Sequence, residues 1–242
     1  MSTHSDNVDA QEIANFDRLA AQWWDPQGQM RTLHQINPPR LRYIVQCANN
    51  GRLTGLRGRR ALDVGCGGGL LSEALAGEGA QVLGIDMAAE LIAVARHHAE
   101  QNARAVAYRQ IRAEELAAEQ PASFDLVCCL EMLEHVPEPQ AVIAACAQLA
   151  RPGANLVFST INRNAKSFAL AVVGAEYVLN LVPRGTHDYE KFIRPSELDA
   201  WARAAGLDVI GIKGLRYNPL LKSARLCDDI DVNYFLHCRK PA

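Results

Sequence analysis

Four glycines in five positions mark a place where a ligand could approach the backbone closely. Gly65, Gly67, Gly68 and Gly69 follow Asp63, which ends an apolar run typical of a strand, and a helical pattern begins directly after them. Glycine permits positive φ angles and carries no Cβ atom, and the N-terminus of the next helix offers free N–H groups. The loop therefore predicts a nucleotide-type ligand. The alternative is a tight strand–helix turn that merely requires glycine.

The spacing of these glycines separates two classes of ligand. A dinucleotide fingerprint is G-x-G-x-x-G/A, and counted from Gly65 its last position falls on Leu70. The carboxylate of Asp63 favours a ligand with an ammonium group and repels a pyrophosphate. Asp63, Gly65 and Gly67 are thus expected to bind S-adenosylmethionine, which carries an α-amino group and no phosphate, rather than a nicotinamide dinucleotide.

Further acidic residues follow the next two predicted strands. Asp86 ends the second strand, 21 residues after Gly65, where a carboxylate can accept hydrogen bonds from both ribose hydroxyls. The alternative role of Asp86 is that of a helix N-cap. Glu114 and Glu115 follow the third strand, and they either accept from an adenine amino group or form the solvated first turn of a helix.

Two carboxylates and an imidazole follow the fourth predicted strand. In one helical turn, Glu131, Glu134 and His135 share a face at i, i+3 and i+4. Such a set binds a divalent cation or supplies a general base, and either would promote attack by a phenol whose pKa is about 10. The alternative is that His135 packs and hydrogen-bonds beneath the ligand. A zinc protease is not indicated, because its motif needs two histidines.

The elements that must position these residues form an alternating pattern. From residue 61 on, short β-rich runs alternate with helical patterns, which predicts an α/β fold with a Rossmann-like sheet of seven strands, the last antiparallel. The predicted strands are Ala61–Val64, Gln81–Asp86, Val106–Ile111, Phe124–Leu130, Asn155–Ile161, Leu207–Lys213 and Val232–Cys238. The predicted helices are Leu70–Gly77, Ala89–Gln101, Gln140–Ala150 and Pro195–Ala205.

Two segments lie outside this alternation within a single predicted domain of residues 1–242. Residues 10–50 are expected to form helices before the sheet, with Trp23, Trp24 and a Pro-Pro-Arg turn at 38–40. Residues 162–193 form an insertion after the fifth strand. Both can cover the carboxyl ends of the strands, where ligands bind in open α/β sheets.

The insertion itself allows two interpretations. Its apolar stretch carries a narrow polar stripe at Glu176, Asn180 and Arg184, which is typical of a helix at a lipid interface. The alternative is a lid that packs over the site. His187 and Asp188, just after it, are second candidates for a base.

Composition limits the classes of partner. The chain has 49% hydrophobic and 21% charged residues and a net charge of −2, so it can bury a core and shows no basic excess for nucleic acid. Its seven cysteines include no C-x-x-C pair, which favours a reduced, cytoplasmic protein. The polar N-terminus predicts no secretory signal, and the longest apolar stretch, Phe168–Val182, is shorter than the roughly 20 residues of a membrane-spanning helix.

The sequence resembles the class I methyltransferases and, more narrowly, the O-methyltransferases of ubiquinone biosynthesis, over nearly the whole chain. The glycine loop identifies the superfamily, and the Trp-Trp-Asp and Gly-Thr-His-Asp segments narrow it. The matching segments are N-F-D-R-L-A-A-Q-W-W-D at 15–25, L-H-Q-I-N-P-P-R at 33–40, L-D-V-G-C-G-G-G at 62–69, E-M-L-E-H-V-P at 131–137, S-T-I-N-R-N at 159–164, V-V-G-A-E-Y at 172–177 and G-T-H-D at 185–188.

The resemblance implies roles for particular residues. Arg40 is expected to meet the carboxylate of the methionine moiety, Gly65 to lie against the cofactor and Asp86 to hold the ribose. Leu130, where relatives often have methionine, is expected to contact the cofactor near the adenine. The resemblance also implies Mg²⁺ as a candidate ion at Glu131, Glu134 and His135.

The resemblance further implies a substrate and a location. The expected acceptor is a ring hydroxyl of a polyprenylated phenol or catechol, at both O-methylation steps of the pathway. Peripheral contact with anionic lipid at the inner face of the cytoplasmic membrane, or with other quinone-biosynthesis enzymes, would suit such a substrate. The alternatives are another small phenolic substrate and a non-catalytic, cofactor-binding assembly subunit.

Overall fold

The computed structural model describes residues 7–168 and 189–242. Its strands are β1 (Arg60–Val64), β2 (Gln81–Asp86), β3 (Val106–Gln110), β4 (Phe124–Leu130), β5 (Ala150–Ile161), β6 (Asp208–Asn218), β7 (Ser223–Cys227) and β8 (Asn233–Arg239). They form a single sheet in the order β3-β2-β1-β4-β5-β8-β6-β7.

The strand directions confirm the α/β prediction. Strands β1 to β5 are mutually parallel, whereas β8 runs antiparallel to both β5 and β6. The chain leaves β1 towards β2 and β3 on one side and later returns to place β4 and β5 on the other. The strand order therefore reverses between β1 and β4, and a crevice opens there at the carboxyl ends of the strands.

Helices connect the strands and precede the sheet. They are α1 (Ala10–Asp17), α2 (Arg31–Ala48), α3 (Leu70–Gly77), α4 (Ala89–Gln101), α5 (Ala113–Glu119), α6 (Pro139–Leu149), the single turn α7 (Ala165–Ser167) and α8 (Pro195–Ala204). Short 3-10 turns occur at Ala20–Gln22, Leu133–His135 and Tyr189–Lys191. The bounds of α3 and α4 are those predicted from the sequence.

The central strands β1, β4 and β5 are buried on both faces, which explains why they are almost continuously apolar. Alternate residues enter different core clusters: Val127 and Cys129 pack with α5, α6 and α8, whereas Leu126 and Cys128 pack with α2 and α3. The two adjacent cysteines thus act as small buried hydrophobes on opposite faces. All seven cysteine thiols are free.

Two predictions about elements were wrong. Strand β7 was not predicted; it pairs antiparallel with β6, and its short polar–apolar alternation lies at the sheet edge. The predicted Pro-Pro-Arg turn is absent, because α2 continues through Pro38 and Pro39. Burial of Arg40, Ile44 and Val45 along the same helix offsets the hydrogen bonds that the prolines remove.

Part of the predicted insertion can be placed. Residues 162–168 and 189–193 are its two described ends, whereas Glu176, Asn180, Arg184, His187 and Asp188 lie outside the described residues. Within the described ranges, no helix combines the length and apolar character needed to cross a membrane.

Candidate active site

A cavity of about 700 Å³ opens at the carboxyl ends of the parallel strands. Its volume lies within the range of small-molecule sites. It is lined by the glycine loop, by the segments that follow β2 and β4, and by residues of α1 and α2. Nine of the residues predicted from the sequence to form the site line this one cavity: Arg40, Asp63, Gly65, Gly67, Asp86, Leu130, Glu131, Glu134 and His135.

The glycine loop is closed on one side by an aromatic ring. Gly67 has a φ of +53°, and a Cβ atom placed on Gly67 or Gly68 would overlap the indole of Trp23. The indole N–H of the adjacent Trp24 donates to the carbonyl of Gly68 at 2.9 Å. Glycine is therefore required here both for the backbone conformation and for the close approach of the N-terminal segment.

Asp63 is a buried carboxylate beneath the loop. Ser72 Oγ on α3 donates to its Oδ2 at 2.6 Å, and the side chain is almost inaccessible. Burial raises the pKa of Asp63 to about 7, against the hydrogen bond from Ser72. An approaching ammonium group would favour the ionised form.

Asp86 ties the end of β2 to the glycine loop. Its Oδ2 accepts from the backbone N–H of Gly67 and its Oδ1 from that of Ala88, both at 2.9 Å. The N-cap of α4 is Ala88 rather than Asp86. These two hydrogen bonds fix the glycine loop and the start of α4 relative to β2. Burial raises the pKa of Asp86.

The two acidic residues after β3 have different surroundings. Glu114 lines the cavity and accepts from the side chain of Asn7 at 2.8 Å. Glu115 is exposed and pairs with Arg112 at 2.5 Å in the first turn of α5. The solvated alternative therefore describes Glu115, whereas Glu114 is placed beside the ligand space.

Arg40 is a buried cation on the α2 side of the cavity. Its Nη2 lies 3.3 Å from Glu131 Oε1, while its buried Nε has no hydrogen-bond partner among the described residues. Burial lowers the pKa of Arg40, and the carboxylates of Glu131 and Glu134 oppose that shift. A buried donor without a partner is costly, which indicates that a ligand acceptor belongs there.

The turn after β4 is strained. Leu130 ends the strand, and Glu131 adopts a φ of +50°, a left-handed conformation that costs a non-glycine residue about 1–2 kcal/mol. Ser159 Oγ donates to Glu131 at 2.5 Å, and the side-chain amide of Asn233 donates to both its oxygens at 2.9 Å. These contacts hold the carboxylate in place despite the strain.

Glu134 is a second carboxylate in the same turn, buried and lining the cavity. Thr160 Oγ1 donates to its Oε2 at 2.8 Å. Burial, together with the negative charge of Glu131, raises the pKa of Glu134 to about 7. Its proton affinity therefore falls in the range useful for general base catalysis at neutral pH.

His135 faces the N-terminal helix. Its Nδ1 lies 3.1 Å from Glu12 Oε2, its ring packs edge-on against Phe16, and Lys191 binds the other oxygen of Glu12 at 3.0 Å. Burial opposes protonation of His135, but the hydrogen bond to Glu12 and the neighbouring carboxylates outweigh it and raise its pKa. We call the set Glu12–His135–Lys191 the α1 latch.

A family model described as a methyltransferase domain matches residues 33–212. A ubiquinone biosynthesis O-methyltransferase from Hahella chejuensis is 54% identical over 239 residues, covering 99% of this chain and 98% of that protein. The protein of the same name from Pseudomonas syringae is 56% identical, covering 98% and 99%. The chain belongs to this O-methyltransferase family.

Solved methyltransferases share the fold of this family member at low sequence identity. The magnesium protoporphyrin IX methyltransferase from Synechocystis, with bound S-adenosylhomocysteine, has a TM-score of 0.68 at 20% identity, covering 94% of each chain. A methyltransferase from Thermotoga maritima has a TM-score of 0.67 at 18% identity, covering 95% of this chain and 99% of that one. The class I methyltransferase fold predicted from the sequence is confirmed.

The predicted magnesium site of this methyltransferase does not form in the described residues. They contain no group of three or more His, Cys, Asp or Glu side chains arranged to hold a metal ion. Glu131 is bound to Arg40, Ser159 and Asn233, and His135 is turned towards Glu12. The three side chains are adjacent in sequence, but their contacts point them to different partners.

Sequence reasoning left several site residues of the methyltransferase without a role. Ser159 and Thr160, which hold Glu131 and Glu134, stand at the carboxyl end of β5, and polar residues at that edge are a signal that could have identified them. Trp23 and Asn233 carry no comparable local signal. Their roles depend on the path of α1 and on the register of β8.

Proposed function

We propose that the chain transfers a methyl group from S-adenosylmethionine to a ring hydroxyl of polyprenylated phenols and catechols, at both O-methylation steps of ubiquinone biosynthesis. One observation carries the proposal: the glycine loop and the buried carboxylate of Glu134 line the same cavity. The names of the relatives, at 52–56% identity over nearly the full chain, support the substrate class.

The residues around the glycine loop fit the methyl donor. Asp63 offers a buried acceptor for an ammonium group, and Arg40 offers a buried donor whose Nε lacks a partner among the described residues. A Cβ atom on Gly65 would overlap the side chain of Met132, so glycine allows the turn after β4 to pack against the loop. Asp86, at the tip of β2, stands where a ribose is held in such folds.

The chemistry divides between donor and protein. When bound, S-adenosylmethionine supplies an electrophilic methyl group on a positively charged sulfur. The ring oxygen would form a bond to the methyl carbon as the carbon–sulfur bond breaks, with S-adenosylhomocysteine as the leaving group. The ring hydroxyl must also lose its proton, because a phenol with a pKa of about 10 is mostly neutral at pH 7. We assign the acceptance of that proton to the carboxylate of Glu134.

Glu131 and His135, which lie near Glu134 in the sequence, are less suited to accept the proton. Glu131 accepts from Ser159 and Asn233 and pairs with Arg40, so it anchors the donor side of the cavity. The Nδ1 of His135 is engaged by Glu12 Oε2 at 3.1 Å, so this ring holds α1 over the site.

Magnesium has no part in this proposal. Arg40, Ser159 and Asn233 engage the carboxylate of Glu131, Thr160 engages one oxygen of Glu134, and His135 is turned towards Glu12. No step of the mechanism is therefore assigned to a metal ion.

The substrate also supports a location. A polyprenyl tail partitions into lipid, so we propose that the protein works in the cytoplasm at the inner face of the cytoplasmic membrane, through peripheral contact with anionic lipid or with other enzymes of the pathway. Cosedimentation with vesicles of anionic and of neutral lipid tests this. Equal recovery in the supernatant with both would contradict it.

The function is tested by product analysis. Purified protein is incubated with S-adenosylmethionine and either a short-tailed catechol or an isosteric aromatic amine. In a further reaction, NADH replaces the methyl donor. We expect a mono-O-methylated product from the catechol alone. Methylation of the amine in preference to the catechol, or no methylated product from any phenol, would overturn the proposal.

A further inference from the structure

One face of α2 forms an apolar wall of the cavity. Leu33, Ile36 and Arg40 follow each other at helical spacing and all line the cavity. Ile36 packs against the same core cluster as Leu71 and Leu215. The buried charge of Arg40 lies at one end of this face, and Leu33 and Ile36 supply apolar surface nearer the start of the helix, beside the polar Thr32 and Asn37.

The opposite wall is the end of β6. Leu215 is the last residue of β6 paired with β8, opposite Asn233, and Arg216 to Asn218 continue beyond that partner into the hairpin with β7. Leu215, Tyr217 and Pro219 alternate along this extension and line the cavity, as does Arg216 between them, whose charge is paired with Asp229 at 2.7 Å. This wall therefore begins beside Asn233, whose side chain binds Glu131, and extends away from the sheet.

The two walls are fastened to each other. The hydroxyl of Tyr217 donates to Gln35 Oε1 on α2 at 2.5 Å. This bond holds α2 against the hairpin, and the cavity-lining side chains of the two elements form a groove. We call this the α2–hairpin groove, with Leu33, Ile36, Leu215, Tyr217 and Pro219 as its lining residues.

Two exposed leucines directly follow Pro219 along the hairpin. Leu220 and Leu221 at the hairpin tip are 92% and 74% exposed, although their backbone N–H groups are held by Asn218 Oδ1 at 3.0 and 3.1 Å. A turn that is fixed by hydrogen bonds and presents large apolar side chains to water is costly unless they have a partner.

Other parts of the cavity mouth are charged. Asp229 binds Lys166 at 3.0 Å and Arg216 at 2.7 Å, and Asp9 lies 3.3 Å from Lys191 beside α1. An apolar chain leaving past these groups would have to desolvate ion pairs. Among the described residues, the α2–hairpin groove offers an apolar route instead.

We propose that the α2–hairpin groove is the subsite for the polyisoprenoid tail of the acceptor, and that Leu220 and Leu221 grip the tail where it leaves the protein. This rests on the proposed function, since it assigns a path to the tail of that substrate. The ring then lies beside Glu131 and Glu134, and the tail runs between Ile36 and Tyr217 to the hairpin tip.

The first test is kinetic and uses no lipid or detergent. KM is measured for a series of catechols whose tail lengthens by one isoprene unit at a time, with the wild type and with Leu220→Ser/Leu221→Ser. We expect the variant to raise KM roughly three- to tenfold for the longer tails, because apolar contact is lost, and to leave the tail-less catechol unchanged. Leu53→Ser, at an exposed leucine outside the cavity, is the matched control.

The second test maps the tail in the unmodified protein. A catechol with a photoreactive diazirine at the end of its tail is cross-linked and the labelled peptide is identified. Label on residues 215–222 is expected, and label confined to another segment would overturn the proposal. Equal changes of KM for tailed and tail-less substrates, no change, or a change seen only after vesicles are added would also overturn it.

The proposed function and the groove proposal fail under different outcomes. If the wild type methylates none of the catechols, the proposed function fails, while the cross-link still reports where an apolar tail binds. If the wild type methylates them all and gains nothing from the tail, the function stands and the groove proposal fails.

Discussion

Burial gives two carboxylates of the cavity an unusual affinity for protons. The pKa values of Asp63 and Glu134 are both raised to about 7, yet their surroundings differ: Asp63 lies under the glycine loop with Ser72, and Glu134 lies beside Thr160. The same physical cause thus prepares one group for a cationic ligand and the other for a proton from the substrate.

Replacement of Glu134 by glutamine should remove the base with little change of shape. We expect kcat to fall roughly 100- to 10,000-fold, with unchanged affinity for S-adenosylhomocysteine. At saturating methyl donor, kcat/KM of the wild type should rise with pH and level off above about 7, and this limb should disappear in Glu134→Gln. Glu115→Gln, at an exposed carboxylate, should behave as the wild type. If kcat/KM of Glu134→Gln still rises with pH and levels off as in the wild type, the titrating group is another residue.

Replacement of Asp63 by asparagine tests the ammonium site. Because the ionised carboxylate binds the ammonium group, affinity for S-adenosylhomocysteine should fall about tenfold per pH unit below the pKa of about 7. Calorimetry in buffers of different ionisation enthalpy should detect proton release near pH 7. Asp63→Asn should bind weakly at every pH and release no proton. Binding independent of pH in the wild type would contradict this role.

The sequence predicted which residues line the cavity, but not how each is held. Asp63, Gly65 and Asp86 lie at or directly after the ends of predicted strands, and strand ends meet at one edge of a parallel sheet, so their proximity followed from local pattern. The contacts of Glu131 did not, because Ser159 and Asn233 reach it from β5 and β8. Such long-range contacts depend on sheet register, which a single sequence does not specify.

At the scale of elements, the N-terminal helices complete a site that the sheet only begins. Trp23 rests on the glycine loop, and Glu12 and Phe16 contact His135. The sequence predicted helices over residues 10–50 but ended one at Pro38–Arg40. Proline lowers helix propensity locally, and the packing of α2 against the core overrides it, so this error follows from reading local preference alone.

Replacement of Gly67 by alanine should separate backbone strain from contact with Trp23. Gly153→Ala is the matched control, because Gly153 has a φ of +80° and no atom within 4 Å of an added Cβ. Gly153→Ala should cost about 1–2 kcal/mol of unfolding free energy. Gly67→Ala should cost at least about 1 kcal/mol more by urea unfolding, and should also weaken S-adenosylhomocysteine. Equal costs would show that Trp23 moves freely away.

Replacement of Glu12 by glutamine should loosen the α1 latch in a pH-dependent way. The pKa of Glu12 is lowered from 4.5 to about 2, first by the hydrogen bond with His135. The ionised carboxylate therefore stabilises the folded protein fully above pH 4.5, and this stabilisation is lost as the pH falls through the lowered pKa. The pKa of His135 is raised above its ordinary 6.5. The interaction of its ring with Glu12 therefore stabilises the folded protein fully below pH 6.5, and this stabilisation is lost as the pH rises through the pKa of the folded state.

Both contributions to the latch are therefore complete between pH 4.5 and 6.5. The difference in Tm between the wild type and Glu12→Gln should be largest in that window, a few degrees, and should shrink at higher pH. Glu100→Gln, on an exposed face of α4, should show no such dependence. A Tm difference that grows above pH 7 would contradict the latch.

At the scale of the whole molecule, three regions meet at one edge of the sheet. The parallel half supplies the glycine loop and Asp86, the turn after β4 supplies Glu131 and Glu134, and the antiparallel half supplies Asn233 and the hairpin. The sequence predicted the first two from alternation and motif. Strand β7 was missed, because a short amphipathic edge strand has little local signal, and the groove wall was missed with it.

The central claim is transfer of a methyl group to a ring oxygen with Glu134 as base. It is tested most directly by a single-turnover reaction with carbon-13 methyl-labelled S-adenosylmethionine and a short-tailed catechol, followed by NMR. The account predicts one labelled methyl on a ring oxygen per protein molecule, and a rate strongly reduced in Glu134→Gln. Label on carbon, no label on the catechol, or an unchanged rate in Glu134→Gln would contradict it.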